Sequence, residues 1–231
     1  MNGTEWTTLC DNRGRPIDRT PGTGPEPWIW TGTRGGSTEP LAAPAHRTAV
    51  LFRCAGTLIA DMPNNGDPGW VRPLPGAAAV VAAVRARGVA VGALVEEPGV
   101  ARGLLSRAQV DLVRRRCEQL LGPFDVWAVC PHGEADGCAC RRPAPGLVSA
   151  AHDCLAVPAR RTTVIGSDPR DALAARAAGV AAVLVAPPTG RAGRVAGPIG
   201  PLAVVGLPAA AARALAAEPQ AAGAPSVRPS Q

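Results

Sequence analysis

Asp125-Val126-Trp127-Ala128-Val129-Cys130-Pro131-His132-Gly133-Glu134-Ala135-Asp136-Gly137-Cys138-Ala139-Cys140-Arg141-Arg142-Pro143 is the stretch whose reading decides the fold. It begins as an apolar run of strand length, Asp125 to Val129, and passes directly into a loop. That loop holds four metal-type ligands, Cys130, His132, Cys138 and Cys140, within eleven residues. Thiolate and imidazole are the donors that Zn²⁺ selects, and two pairs joined by a short Gly-containing loop can fold back into a closed tetrahedral site. With all four positions filled by protein, such a site is structural. The alternative is a chance cluster of buried or disulfide-bonded cysteines.

Outward from this loop the chain alternates buried strands and amphipathic helices. Upstream, Ala49 to Phe52 reads as a strand ending in the turn Ala55-Gly56-Thr57, Gly76 to Arg87 as a helix stopped by Gly88, and Val89 to Val95 as a second strand. Ser106-Arg107-Ala108-Gln109 is a capping-box signature for a helix carrying Val110, Leu112, Val113, Cys117, Leu120 and Leu121 on one stripe up to Gly122-Pro123. Downstream, helix is expected over 146–156, strand over 162–165, helix over 168–178, strand over 180–186 and a closing helix over 208–217. Strands alternating with helices of this length imply parallel β-α-β units with helices on both faces, an open doubly wound α/β sheet. In such sheets ligands gather beyond the carboxyl ends of the strands, here 53–57, 95–103, 130–143 and 166–171.

Flanking composition sets the domain limits. Residues 1–46 are rich in Thr, Gly, Pro and Arg, with Trp6, Trp28 and Trp30 as the bulky anchors, and read as a flexible extension. The domain is expected over 47–217, with the metal loop at 130–143, and 218–231 reads as a disordered Ala-Pro tail. The formal charge of +6 comes from Arg alone, since no Lys occurs. These arginines are scattered, and with no Tyr and two Phe the chain lacks stacking platforms, so a nucleic-acid partner is not expected. No apolar run is long enough to span a membrane, and Met1 to Cys10 has no signal-type apolar segment. Seven cysteines, an odd number with four in one loop, suit a reducing compartment, and the cytoplasm is the expected location.

From about Ala49 to Ala186 the chain resembles the haloacid dehalogenase superfamily, in its zinc-loop branch typified by heptose-bisphosphate and histidinol-phosphate phosphatases. The resemblance rests on Gly56-Thr57-Leu58 after the first strand, Gly99-Val100-Ala101-Arg102-Gly103 after the second, the Cys/His loop with Cys140-Arg141-x-Pro143, and Val164-Ile165-Gly166 with Asp171. It implies a Rossmannoid sheet with no large cap domain, zinc in the loop, and a phosphorylated small molecule as ligand. It also implies an Asp nucleophile and an Asp acid/base, at positions that are Arg53 and Ala55 in this chain. Arg is no nucleophile at neutral pH and Ala has no proton to exchange, so neither can act.

The remaining motifs depart in the same manner. The phosphate-binding Thr or Ser corresponds to Val95, the amides after it to Glu96 and Glu97, the neutralising Lys to Arg142, and the first magnesium-holding Asp to Ser167. Magnesium is not expected to bind; Asp168 and Asp171 are the residual candidates. Arg141 and Arg142 can bind an anionic ligand or pair with acidic neighbours. Three functions follow from this pattern. The first is a phosphatase homologue without the aspartyl-phosphate step, and the second a weakly active phosphatase using Glu96 or Glu97. The third is a partner-binding regulatory module in which Arg53 pairs with Glu96, Asp168 or Asp171.

Overall fold

Runs of Val, Ala, Leu and Ile can be strands without polar alternation only if both faces of the sheet are covered. That is the arrangement in the computed structural model, which describes residues 26–32, 48–186, 193–197 and 200–216. Its strands are β1 (Trp28–Thr31), β2 (Ala49–Arg53), β3 (Ala90–Glu96), β4 (Val126–Cys130), β5 (Thr162–Gly166), β6 (Ala181–Val185), β7 (Gly193–Gly197) and β8 (Gly200–Val205). Its helices are α1 (Ala77–Ala86), α2 (Pro98–Ala101), α3 (Arg107–Leu121), α4 (Gly146–Cys154), α5 (Pro169–Ala177) and α6 (Leu207–Ala216). The sheet order is β1-β4-β3-β2-β5-β6-β8-β7. Strands β4, β3, β2, β5, β6 and β8 run parallel, and the two edge strands are antiparallel to their neighbours.

Strand periodicity divides the core. Val50 and Phe52 of β2 point into a cluster with Val81, Val84, Leu121 and Ala210 from α1, α3 and α6. Ala49 and Leu51 point the other way, onto Leu147, Val148 and Ala174 from α4 and α5. This is the doubly wound α/β architecture expected, and no large cap is inserted among the described residues; the excursion between β2 and α1 holds a short 3-10 turn at Pro68–Trp70 and two isolated bridges, Ala55 to Ile59 and Ile59 to Pro73. None of the described helices is long and apolar enough to cross a membrane. The capping box forms as read, with the Ser106 backbone N–H donating to Gln109 Oε1 at 2.9 Å and the Gln109 N–H to Ser106 Oγ at 3.3 Å.

Two segments correct the sequence reading. Trp28–Thr31, placed in the flexible extension 1–46, pairs along β4, with Trp28 opposite Val129 and Thr31 opposite Val126. Its anchors are physical: Ile29 and Trp30 are buried on opposite faces, and the Arg107 guanidinium lies 5.1 Å from the centroids of both Trp28 and Trp30. Arg114, itself buried and paired with Asp111 and Glu118, adds a contact to Trp30 at 5.9 Å. The second is the β7–β8 hairpin, two strands in a segment to which the sequence reading assigned no element. The remainder of 1–46 and the tail 218–231 lie outside the described residues.

Candidate functional site

Parallel register places the ends of β2, β3, β4 and β5 side by side: Arg53 lies opposite Leu94, Glu96 opposite Cys130, and Phe52 opposite Ile165 just before Gly166. β4 runs out into the Cys/His loop. The ligand atoms of Cys130, His132, Cys138 and Cys140 all lie within 4.8 Å of one another. Cys130 Sγ is 3.6 Å from His132 Nδ1 and 3.7 Å from Cys138 Sγ, while Cys140 Sγ is 3.2 Å from His132 Nδ1 and 3.6 Å from Cys138 Sγ. A hydrogen bond from Cys140 is the main cause that draws the Cys130 thiol down to about 6, against burial. Donating that bond pushes Cys140 up. The first thiolate of a soft-metal site is therefore available at neutral pH, and the four donors can hold a metal ion.

The loop's return carries Arg141 and Arg142 back over the strand ends. The Arg142 backbone N–H and Nε both donate to Glu96 Oε1, at 2.8 and 3.0 Å, and Nη2 donates to Glu96 Oε2 at 3.3 Å. Nη1 donates to Asp171 Oδ1 at 2.7 Å. Arg53 Nη2 reaches Glu96 Oε2 at 3.6 Å, so the pairing expected from the charge inversion at 53 and 96 is present. Arg141 lies 3.9 Å from the same oxygen, but its shorter contact, 3.2 Å, is with exposed Glu134. Both arginines proposed as ligand-binding are thus paired with acidic neighbours, and Arg142's partners come from β3 and α5 rather than from the loop.

The charges in this cluster hold one another ionised. Burial opposes the Glu96 carboxylate, but Arg53's charge and the bonds from Arg142 outweigh it and keep its pKa below the ordinary value. Burial also opposes the Arg142 guanidinium, which Asp171 and Glu96 more than compensate. Arg53 is depressed by burial and by Arg142's charge. Its Nη1 has no hydrogen-bond partner among the described residues, nor has Thr57 Oγ1. A cavity of about 10 Å³, room for about one water, lies between Arg53, Arg142 and Asp171 and the apolar side chains of Leu94, Leu147 and Val148.

The residual magnesium candidates are engaged in the same network. Asp168 caps α5, accepting from the Arg170 backbone N–H at 2.8 Å and from its side chain at 2.7 Å, which lowers its pKa. Asp171 Oδ2 accepts from the Asp168 N–H at 3.1 Å, and a Cβ at Gly166 would overlap the Asp171 carboxylate, so the glycine is needed for that approach. Of the remaining motif positions, Val95 packs against the first core cluster and Ala55 precedes the tight turn at Gly56, whose φ is 77°. Ser167 Oγ lies next to Gly56.

Glu97 is the residue whose behaviour the sequence reading missed. Burial pushes it up to about 7, with Arg53 opposing and Asp61 adding to the rise. A folded-state pKa above the unfolded value of 4.5 means that its contribution to stability is fully present below that value and is lost as pH rises through about 7. Glu97→Gln should therefore gain stability over the parent above pH 7, by up to about 3 kcal/mol, and gain little at pH 5. Urea unfolding of both proteins at the two pH values checks this; equal differences at both would show that Glu97 ionises freely.

The chain is similar in sequence and fold to known proteins. Residues 139–205 match the family model described as HAD-hydrolase-like. The D-glycero-β-D-manno-heptose-1,7-bisphosphate 7-phosphatase of Bordetella bronchiseptica is 34% identical over 126 residues, covering 53% of this chain and 70% of that protein. The protein of the same description from Pseudomonas putida is 31% identical over 120 residues, covering 50% and 68%. The chain belongs to the haloacid-dehalogenase-like family. Among solved structures, a haloacid-dehalogenase-like phosphatase from Mesorhizobium loti superposes with a TM-score of 0.68 at 26% identity, covering 85% of this chain and 95% of that one. The heptose-bisphosphate phosphatase of B. bronchiseptica, complexed with magnesium and phosphate, superposes with a TM-score of 0.60 at 26% identity, covering 74% and 98%. This haloacid-dehalogenase-like domain thus keeps the scaffold, with Arg53 and Glu96 meeting at the strand ends where the resemblance puts the nucleophile and the first of the amides.

Proposed function

We propose that this domain is a phosphatase homologue that does not catalyse the aspartyl-phosphate reaction, and that it serves as a metal-stapled binding or regulatory module. One observation carries the reading. The side chain at the nucleophile's position is a buried guanidinium, Arg53, ion-paired to Glu96 and unable to attack phosphorus. Ala55, at the acid/base position, has no proton to give. Magnesium fits these residues poorly: positions 53, 55 and 167 offer no carboxylate, Asp168 is bound by Arg170, and Asp171 by Arg142 and the Asp168 N–H.

Zinc fits the loop well. A tetrahedral ion with bonds of about 2.3 Å to sulfur and about 2.0 Å to nitrogen separates sulfurs by about 3.8 Å and sulfur from nitrogen by about 3.5 Å. The sulfur–sulfur contacts of 3.7 and 3.6 Å and the sulfur–nitrogen contacts of 3.6 and 3.2 Å match those edges. All four positions are filled by protein, so the ion would act as a crosslink. It would hold the return of the loop in place, and with it Arg141 and Arg142.

The test is phosphate release from D-glycero-β-D-manno-heptose 1,7-bisphosphate and from an aryl phosphate, with Mg²⁺ present. No turnover above the buffer rate is expected. Turnover that follows the protein through purification and is lost in Glu97→Gln would favour the alternative of a weakly active phosphatase, because Glu96, Asp168 and Asp171 are each hydrogen-bonded by an arginine and, among the described residues, Glu97 is not.

A further inference from the structure

We propose that Glu96 is the resident ligand of a small-oxyanion receptor formed by Arg53, Arg141 and Arg142, so that the pocket is closed to external anions by the chain's own carboxylate. The inference rests on the non-catalytic reading above and extends it to what the pocket binds. Glu96 makes contacts that a bound anion would make. Its oxygens take three hydrogen bonds from Arg142, including one from a backbone N–H, and ion-pair with Arg53 at 3.6 Å and Arg141 at 3.9 Å. Its side chain is 5% exposed, and those of Arg53, Arg142 and Arg141 are 10, 12 and 17% exposed.

A second observation points the same way. Arg53, 92% buried, keeps Nη1 without a partner beside the cavity shared with Arg142 and Asp171. The cluster therefore has donor capacity that its own carboxylates do not fill. A guanidinium in this state is a ready hydrogen-bond donor to oxyanions, which it binds in a fork. Glu96 is the carboxylate that contacts all three cations, and an intramolecular carboxylate has a large advantage in effective concentration over a free one.

Truncating Glu96 to alanine removes a CH₂–COO⁻ group, the chemical equivalent of an acetate ion. Acetate and inorganic phosphate are therefore the probes. The measurement is the thermal midpoint of the parent, Glu96→Ala, and the double variant Arg53→Leu/Glu96→Ala, in sodium chloride, acetate or phosphate at equal ionic strength and pH 7. Both probe anions stabilise many proteins by exclusion from the surface, so the readout is the response of each variant minus that of the parent. Glu96→Ala should lose midpoint in chloride and regain roughly 5–10 °C at a hundredfold excess of anion over its Kd, while the double variant should regain none of this. If Glu96→Ala does not fold in chloride, recovery of soluble, cooperatively unfolding protein in acetate or phosphate reads the same effect. An anion response equal to the parent's, or one that survives loss of Arg53, would overturn the proposal. Either result leaves the non-catalytic reading standing, because that reading fails on turnover and not on anion binding.

Discussion

Cys138→Ser should purify without bound metal and unfold roughly 10 °C below the parent, the shift that a loss of about 3–5 kcal/mol gives a chain of this length. Cys138 is the ligand to change because it is only partly buried, whereas Cys130 and Cys140 are buried in the core and their loss would confound packing with metal binding. Without the ion, three thiols and an imidazole held within 4.8 Å lose the charge that draws them together. The loop is then tied down by its own turns, by the Glu97 N–H to Cys130 O bond at 2.8 Å and the Ala101 N–H to Pro131 O bond at 3.2 Å, and at its return by the bonds from Arg142 to Glu96 and Asp171. Exhaustive chelation of the parent should reproduce the variant's midpoint, and metal analysis of the parent should return about one equivalent of zinc. A Cys138→Ser protein with full metal content, or one with an unchanged midpoint, would mean that the loop stands without its ion.

Arg142→Ala should cost about as much, near 3–5 kcal/mol, because it strands Glu96 and Asp171 with side chains only 5 and 3% exposed. Arg141→Ala is the matched control. Its main partner, Glu134, is 83% exposed, so that pair is worth under about 1 kcal/mol. The two variants also separate in their pH dependence. In the parent the Glu96 pKa is lowered, so its contribution is present above the unfolded carboxylate value and is lost as pH falls through the folded one. With Arg142 gone, burial is left opposed by Arg53 chiefly, the folded pKa moves upward, and acid should narrow the gap between variant and parent. Urea unfolding from pH 4 to pH 8 checks both magnitude and slope. Equal small losses for the two arginines would place Arg142 in a solvated rather than a buried network.

How much of this could be read from the residues depends on the range over which each feature is encoded. The parallel sheet was legible because apolar runs such as Ala49 to Phe52 and Val89 to Val95 alternate with helices stopped at Gly88 and Gly122, all local signals. β1 was not, since its Trp28-Ile29-Trp30 core sits among Thr, Gly and Pro and becomes a strand only through β4 and the arginines of α3. The grouping of Cys130, His132, Cys138 and Cys140, which could hold a metal ion, was legible from spacing alone. The ionic cluster was half legible: opposite changes of charge at Arg53 and Glu96 pointed to their pairing, which the 3.6 Å contact bears out. Arg142's attachment to both Glu96 and Asp171, and Glu97's proton affinity, arise from elements 29–46 residues apart and from burial, neither of which local pattern encodes.

A single-turnover experiment tests the central claim, that Arg53 and its partners stand where the phosphoryl-transfer machinery would be, more stringently than any steady-state assay. Protein in excess over D-glycero-β-D-manno-heptose 1,7-bisphosphate, with Mg²⁺ and with zinc content determined on the same preparation, is followed for released phosphate over hours. Release at the protein-free rate, from protein carrying about one equivalent of zinc, is the expected result. Stoichiometric conversion of the substrate by that same protein would contradict it.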